Sequence, residues 1–192
     1  MKLKNKYYIL RHGEAKSNAE DIVSCWPEKF INPLTEKGVA KINKVAKELQ
    51  NKKIDLIFAS PLLRTKQTAE IIANKLRLKV KSDKRLREVG FGAFNGGSAE
   101  KFDNYFKSFA ERIKRKTKRG ENYSEVYKRV SSFLMEVNRE YKNKNILIVS
   151  HQLPLLLLRL KAKGHLLSEN TEALEKDFRE RIITKGELIE LN

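Results

Sequence analysis

Apolar residues fall along this chain in two rhythms. Short, largely apolar runs at residues 7–10 (Y-Y-I-L), 54–59 (I-D-L-I-F-A) and 145–150 (N-I-L-I-V-S) have the length and residue types of buried strands. Between them the period lengthens to that of a helix. Val39, Ile42, Val45, Ala46 and Leu49 mark one face of a helix over 38–50, with Thr35 as its N-cap. Ser60-Pro61 reads as the start of the next helix, Ser as N-cap and Pro at the first helical position. That helix continues through Thr65, Ala69, Ile72, Ala73 and Leu76. After Asn122, a third stripe runs through Val126, Val130, Phe133, Leu134, Val137 and Tyr141. Weaker patterns predict short strands at 78–82 and 187–191 and a helix over 154–161, whereas 166–177 fits no single period. Residues 91–97 are glycine-rich and irregular, and 102–119 mix aromatic with basic side chains until Gly120 breaks the run.

Apolar strands separated by amphipathic helices predict an α/β fold: three layers, α/β/α, around a mostly parallel central sheet. The chain has no internal repeat, linker or low-complexity boundary, so residues 1–192 read as one domain.

Composition narrows the class. With 192 residues, 40% hydrophobic and 34% charged, the chain is long enough to bury a substantial core and too apolar to be disordered. Its longest strongly apolar stretch, 153–158, is far too short to cross a bilayer, and the run before Arg11 is too short for a signal peptide. A cytoplasmic protein without a membrane partner is expected. A single cysteine, Cys25, allows no internal disulfide. The formal charge of +17 draws anions from long range. It permits nucleic acid as a partner, but no interleaved aromatic and basic motif for stacking bases favours one. No pattern sets the oligomeric state.

In open α/β sheets ligands sit beyond the C-terminal ends of the strands. The first strand ends in Arg11-His12-Gly13, the second in Ser60-Pro61 with Arg64 one turn on, and the third in Ser150-His151. Parallel strands would bring two arginines and two histidines to one edge. Such a set suits phosphoryl transfer. A neutral imidazole is a nucleophile near pH 7, and neighbouring Arg11 and Arg64 disfavour its charged form. The same guanidinium groups offer forked N–H donors to phosphate oxygens. Neither His12 nor His151 has metal-ligand spacing to a second ligand, so neither a metal nor another cofactor is expected.

The segments "YYILRHGEAKSN", "PLTEKG", "FASPLLRTKQTAEII", "LREVGFGAFNG", "GENYSEV" and "ILIVSHQLPL", in this order and spacing, resemble the histidine phosphatase superfamily, whose other familiar branch is the cofactor-dependent phosphoglycerate mutases. The resemblance covers the chain from residue 7 to about 158. It implies a phosphoglycerate mutase-like fold and a phosphomonoester hydrolase that works through a phosphohistidine on a small phosphorylated metabolite. It also assigns roles: His12 is the nucleophile, Arg11 and Arg64 bind the phosphoryl group, and His151 adds a donor as charge shifts. Glu88 stands at the position of the family's proton donor, with Glu14, two residues from the nucleophile, as its rival. The Asn18 amide and the Gln152 backbone N–H are implied phosphate contacts. Gln152 departs from the glycine that most relatives carry there. Ser24 is a further candidate, reaching the phosphate from a loop.

The basic run over 107–119 lies where the family packs a variable segment over the pocket mouth. Lys114 and Arg115 are therefore expected to favour substrates bearing extra negative charge. His165 reads as a surface residue, Trp26, Phe91 and Phe94 as packing, and nothing nearby activates Cys25. Two alternatives remain. One is a phosphoglycerate mutase, although mutases tend to carry a cation where Ile22 stands and a tyrosine where Phe91 stands. The other is a non-enzymatic anion- or RNA-binding module on the same fold.

Overall fold

A computed structural model of the chain describes residues 2–167, 171–180 and 182–191. Its elements run in the order β1 (Lys6–Arg11), α1 (Lys16–Ala19), α2 (Glu36–Leu49), β2 (Leu56–Ala59), α3 (Leu63–Leu76), β3 (Val80–Ser82), α4 (Ala99–Asp103), α5 (Phe109–Lys114), α6 (Tyr123–Glu140), β4 (Asn145–Ser150), α7 (Gln152–Ala162), α8 (Thr171–Glu180) and β5 (Leu188–Glu190). The strands form one sheet in the order β3-β2-β4-β1-β5, parallel throughout except for β5, which runs antiparallel to β1.

Alternation along the strands makes the layers. Tyr7 and Ile9 of β1, with Ile146 and Ile148 of β4, face a core shared with α6 and α7; Val130, Phe133 and Leu157 complete it. Tyr8 and Leu10, with Leu147 and Val149, face the opposite core, which Ile42 and Leu49 of α2 and Ile72 of α3 fill. Both faces of the central strands are therefore buried, as a parallel sheet requires.

The stripes predict the helices well and the boundaries less well. Thr35 caps α2 as expected, its Oγ1 accepting the Gly38 N–H at 3.0 Å. A side chain at Gly38 would collide with the Glu14 backbone, the Cβ falling 2.2 Å from its carbonyl oxygen. That close approach holds the loop after β1 against α2.

The expected start of α3 is wrong. The helix begins at Leu63, and Ser60 is not its N-cap. Ser60 extends the line of β2, donating its N–H to the Val149 carbonyl, and its hydroxyl is committed to His151. Two predicted elements start elsewhere: α7 already begins at Gln152, and β3 begins only at Val80, later than the strand predicted over 78–82. The basic stretch folds into the short helices α4 and α5. Part of the aperiodic stretch 166–177 is α8; residues 168–170 within it lie outside the described residues. Among the described residues, no helix is long and apolar enough to cross a membrane.

Candidate active site

Three strand tips meet because their registers are fixed by the same parallel ladder. Arg11 pairs with Ser150, Ala59 pairs with Val149, and the His12 N–H continues the β1–β4 ladder by donating to the Ser150 carbonyl at 3.1 Å. His12 and His151 are consequently neighbours at adjacent tips, both buried, with ring centroids 5.1 Å apart and planes 64° apart. Arg64, the second residue of α3, is buried and donates its Nε–H to His12 Nε2 at 3.1 Å.

The tautomer of His12 follows from its partners. Nδ1 lies 2.7 Å from the Gly13 carbonyl oxygen, which only accepts, so Nδ1 carries the proton and Nε2 carries the lone pair. Burial pushes this imidazole well below its ordinary pKa, and the charges of Arg64 and Arg11 push it further. The ring is neutral, with its unprotonated nitrogen beside a guanidinium.

His151 is also pushed well down, again chiefly by burial. Its Nε2 lies 2.8 Å from Ser60 Oγ, which itself accepts the Leu62 N–H at 3.4 Å. A hydroxyl oxygen has two acceptor lone pairs and one proton, so this contact fits either tautomer of the ring. Among the described residues, His151 Nδ1 is buried without a hydrogen-bond partner, as is Arg11 Nε. Unpartnered buried polar atoms are rare, and here two belong to strand-tip residues beside His12.

Arg64 is held by loop 24–28: its NH2 donates to the Ser24 carbonyl at 2.9 Å, and its NH1 lies 3.5 Å from the Glu28 carboxylate, which also accepts the Leu63 N–H. Arg11 donates from NH1 to the Ile183 carbonyl at 2.8 Å.

These groups open onto a cleft of about 760 Å³ lined by Arg11, His12, Asn18, Ser24, Arg64, Glu88 and Gln152, among others. His151, fully buried beside His12, is not itself among the cleft-lining residues. Glu88 follows the turn after β3, where Arg129 of α6 donates to the carbonyls of Arg85 and Glu88 at 2.6 and 3.1 Å. Desolvation raises the Glu88 pKa against the lowering pull of the Val89 N–H and the nearby arginines. A carboxyl whose pKa burial pushes upward thus shares the cleft with a neutral imidazole. Glu14, the rival, lies outside: its carboxylate accepts from Thr35 Oγ1 at 2.9 Å and pairs with Lys37, and the Thr35 bond holds its pKa down.

Asn18 Oδ1 caps the turn of α1 by accepting the Ala15 N–H at 3.1 Å, which leaves its amide NH2 as the end for a ligand. Gln152 opens α7 and lines the cleft, and no side chain caps that terminus.

Lys114 and Arg115 are not brought to the cleft. Arg115 is paired with Glu111, and its guanidinium sits 4.3 Å from the Tyr105 ring centroid; Lys114 is exposed on the outer side of α5. Arg112 of the same run lines the cleft instead. Neither aromatic expectation holds fully. Trp26 is 51% exposed rather than packed, and Phe91, though buried, forms part of the cleft wall.

Lys185 escaped the sequence reading. It lines the cleft, its charge is felt at His12, and the adjacent Gly186 N–H donates to the carbonyls of both Arg11 and His12, at 3.0 and 3.1 Å. Only its neighbouring glycine, ahead of the last strand, hinted at it.

The family model of the histidine phosphatase superfamily (branch 1) matches residues 7–174. Phosphoserine phosphatase 1 of Hydrogenobacter thermophilus is 32% identical over 155 residues, 78% of this chain and 72% of that one. A 2,3-bisphosphoglycerate-dependent phosphoglycerate mutase of Thermoplasma acidophilum is 38% identical over 96 residues, 50% of this chain and 47% of that one. Among solved structures, Bacillus stearothermophilus YhfR superposes with a TM-score of 0.80 at 24% identity, covering 96% of this chain and 90% of its own, a likeness of fold.

Proposed function

The chain belongs to the histidine phosphatase superfamily (branch 1), and within it we propose a phosphomonoester hydrolase that acts on a small phosphorylated metabolite through a phosphohistidine at His12. One observation carries the reading: a buried, neutral His12 with its Nε2 lone pair aimed at Arg64 Nε, in the same cleft as the Glu88 carboxyl, whose pKa burial pushes upward.

The chemistry balances on this chain's residues. The Nε2 lone pair attacks phosphorus, the P–N bond forms, and the bond to the leaving oxygen breaks. Glu88 gives that oxygen its proton, so the alcohol departs neutral. Nδ1–H stays on the Gly13 carbonyl and stabilises the cationic phosphoimidazole. Arg64 Nε–H turns from the nitrogen it faced to a phosphoryl oxygen, and Arg11, His151 and Lys185 share the remaining charge. The Glu88 carboxylate then takes a proton from water, whose oxygen attacks phosphorus. The P–N bond breaks, its electrons return to Nε2, and inorganic phosphate leaves. Asn18, Ser24 and the N-terminus of α7 at Gln152 complete the proposed phosphate shell.

A mutase reading has support of its own, since several relatives carry that name. Ile22 and Phe91, standing where mutases tend to have a cation and a tyrosine, both line the cleft and favour hydrolysis. Phosphate release from a metabolite panel, without added 2,3-bisphosphoglycerate, tests the proposal. His12→Ala should lower it by roughly three orders of magnitude or more; activity that survives the substitution overturns the assignment.

A further inference from the structure

The cleft has two unlike ends. At the strand tips stand Arg11, His12, Arg64 and Lys185. The roof, built from α4, α5, α6 and α8 with the loop before them, is aromatic. Phe91 meets Phe102 at 4.7 Å, Phe102 meets Phe106 at 5.5 Å, and Phe109 meets Tyr123 at 5.7 Å and Phe178 at 5.0 Å, all edge to face.

The charges at this end are already committed. Arg112 lies over the Phe102 and Phe106 rings at 5.5 and 5.0 Å, pairs with Asp103 at 3.0 Å, and donates to the Asp103 carbonyl at 2.8 Å. Arg179, the other arginine of the lining at this end, is paired with Glu175. A second anion here would lose its water against phenyl rings and meet guanidinium groups already paired, Arg112 with Asp103 and Arg179 with Glu175. A flat uncharged group would bury ring surface at about 25 cal/mol per Å² and add edge-to-face contacts.

We propose that the substrate's alcohol part is an uncharged aromatic or heteroaromatic ring system, seated under Phe91, Phe102, Phe106 and Phe109 while the single phosphate occupies the strand tips. This deepens the phosphatase reading and rests on it. It reverses the expectation that the basic run selects polyanions, because that run turns its cations outward or pairs them.

The test compares primary alkyl phosphates whose leaving alcohols are chemically similar: 2-(2-naphthyl)ethyl phosphate, O-phosphoserine and 3-phosphoglycerate. The naphthyl ester should show a kcat/KM about tenfold or more above the other two, the equivalent of roughly 55 Å² of ring burial. Phe106→Leu should cut the naphthyl-to-phosphoserine ratio severalfold. Phe178→Leu, in a separate helix, provides a second reading of the same ratio should the first variant fold poorly. Equal or better turnover of phosphoserine or 3-phosphoglycerate, or a ratio that neither variant moves, overturns the inference and leaves the phosphatase reading standing. A folded protein that hydrolyses none of the three overturns both.

Discussion

The role proposed for His12 as nucleophile follows from where β1 puts it. Burial and two guanidinium groups keep the ring neutral, and the Gly13 carbonyl fixes which nitrogen is bare. The same depression has a stability consequence. Above the ordinary histidine pKa of about 6.5, His12 and His151 are neutral in both folded and unfolded chains and contribute no penalty. As the pH falls through 6.5 the unfolded chain takes up protons that the folded rings refuse, so stability declines toward the lower folded values. Melting curves between pH 8 and pH 5, a range set by that reference value of about 6.5, should show this loss, and it should shrink in His151→Gln.

Glu88 has the opposite sign: its raised pKa means that the fold resists the carboxylate. Glu88→Gln should therefore raise the melting temperature at pH 8 while lowering kcat by about 10²–10⁴. A Gln variant that melts lower would show that the carboxylate's contacts with the arginines outweigh its desolvation. The residues at the strand tips were legible in the sequence because strand ends in a parallel sheet converge whatever the loops do. Lys185 was not, since a lysine in a loop carries no period and reaches His12 only through the Gly186 bonds to β1.

At the scale of elements, α6 does more than cover the sheet. Arg129 projects from it, pairs with Glu121 at 3.0 Å and holds the carbonyls of Arg85 and Glu88. Arg129→Met should cost roughly 1–3 kcal/mol of stability and, by loosening Glu88, lower kcat more than it raises KM. Arg129→Lys should restore part of kcat. A loss confined to stability, with unchanged kcat and an unchanged alkaline limb of the pH–rate profile, would separate α6 from the acid. Helices with a long apolar stripe, such as α2 and α6, were readable because their buried faces repeat over many turns. The short helices α4 and α5 were not. Each buries only one or two residues, Phe102 in α4 and Phe109 and Ile113 in α5, so nothing in the local pattern says which side of the basic run turns inward. That is why Arg112, not Lys114 or Arg115, reaches the cleft.

For the whole molecule, a net charge of +17 surrounds a site built for a phosphate dianion. Long-range attraction should raise encounter rates at low salt, so kcat/KM should fall severalfold as ionic strength rises from ~0.01 M to ~0.5 M, while kcat changes little. The sheet order β3-β2-β4-β1-β5 is what makes the site possible, since it seats β4 between β1 and β2 and so carries His151 to His12. The central claim is that this arrangement passes the phosphoryl group through His12. Rapid acid-free quenching of turnover with a phosphorus-radiolabelled ester, followed by digestion and peptide mapping, tests it most directly. The account predicts an alkali-stable, acid-labile label on the peptide carrying His12, absent from His12→Ala. Label on a carboxylate or on another histidine during full turnover, or an undiminished phosphoenzyme in His12→Ala, would contradict it.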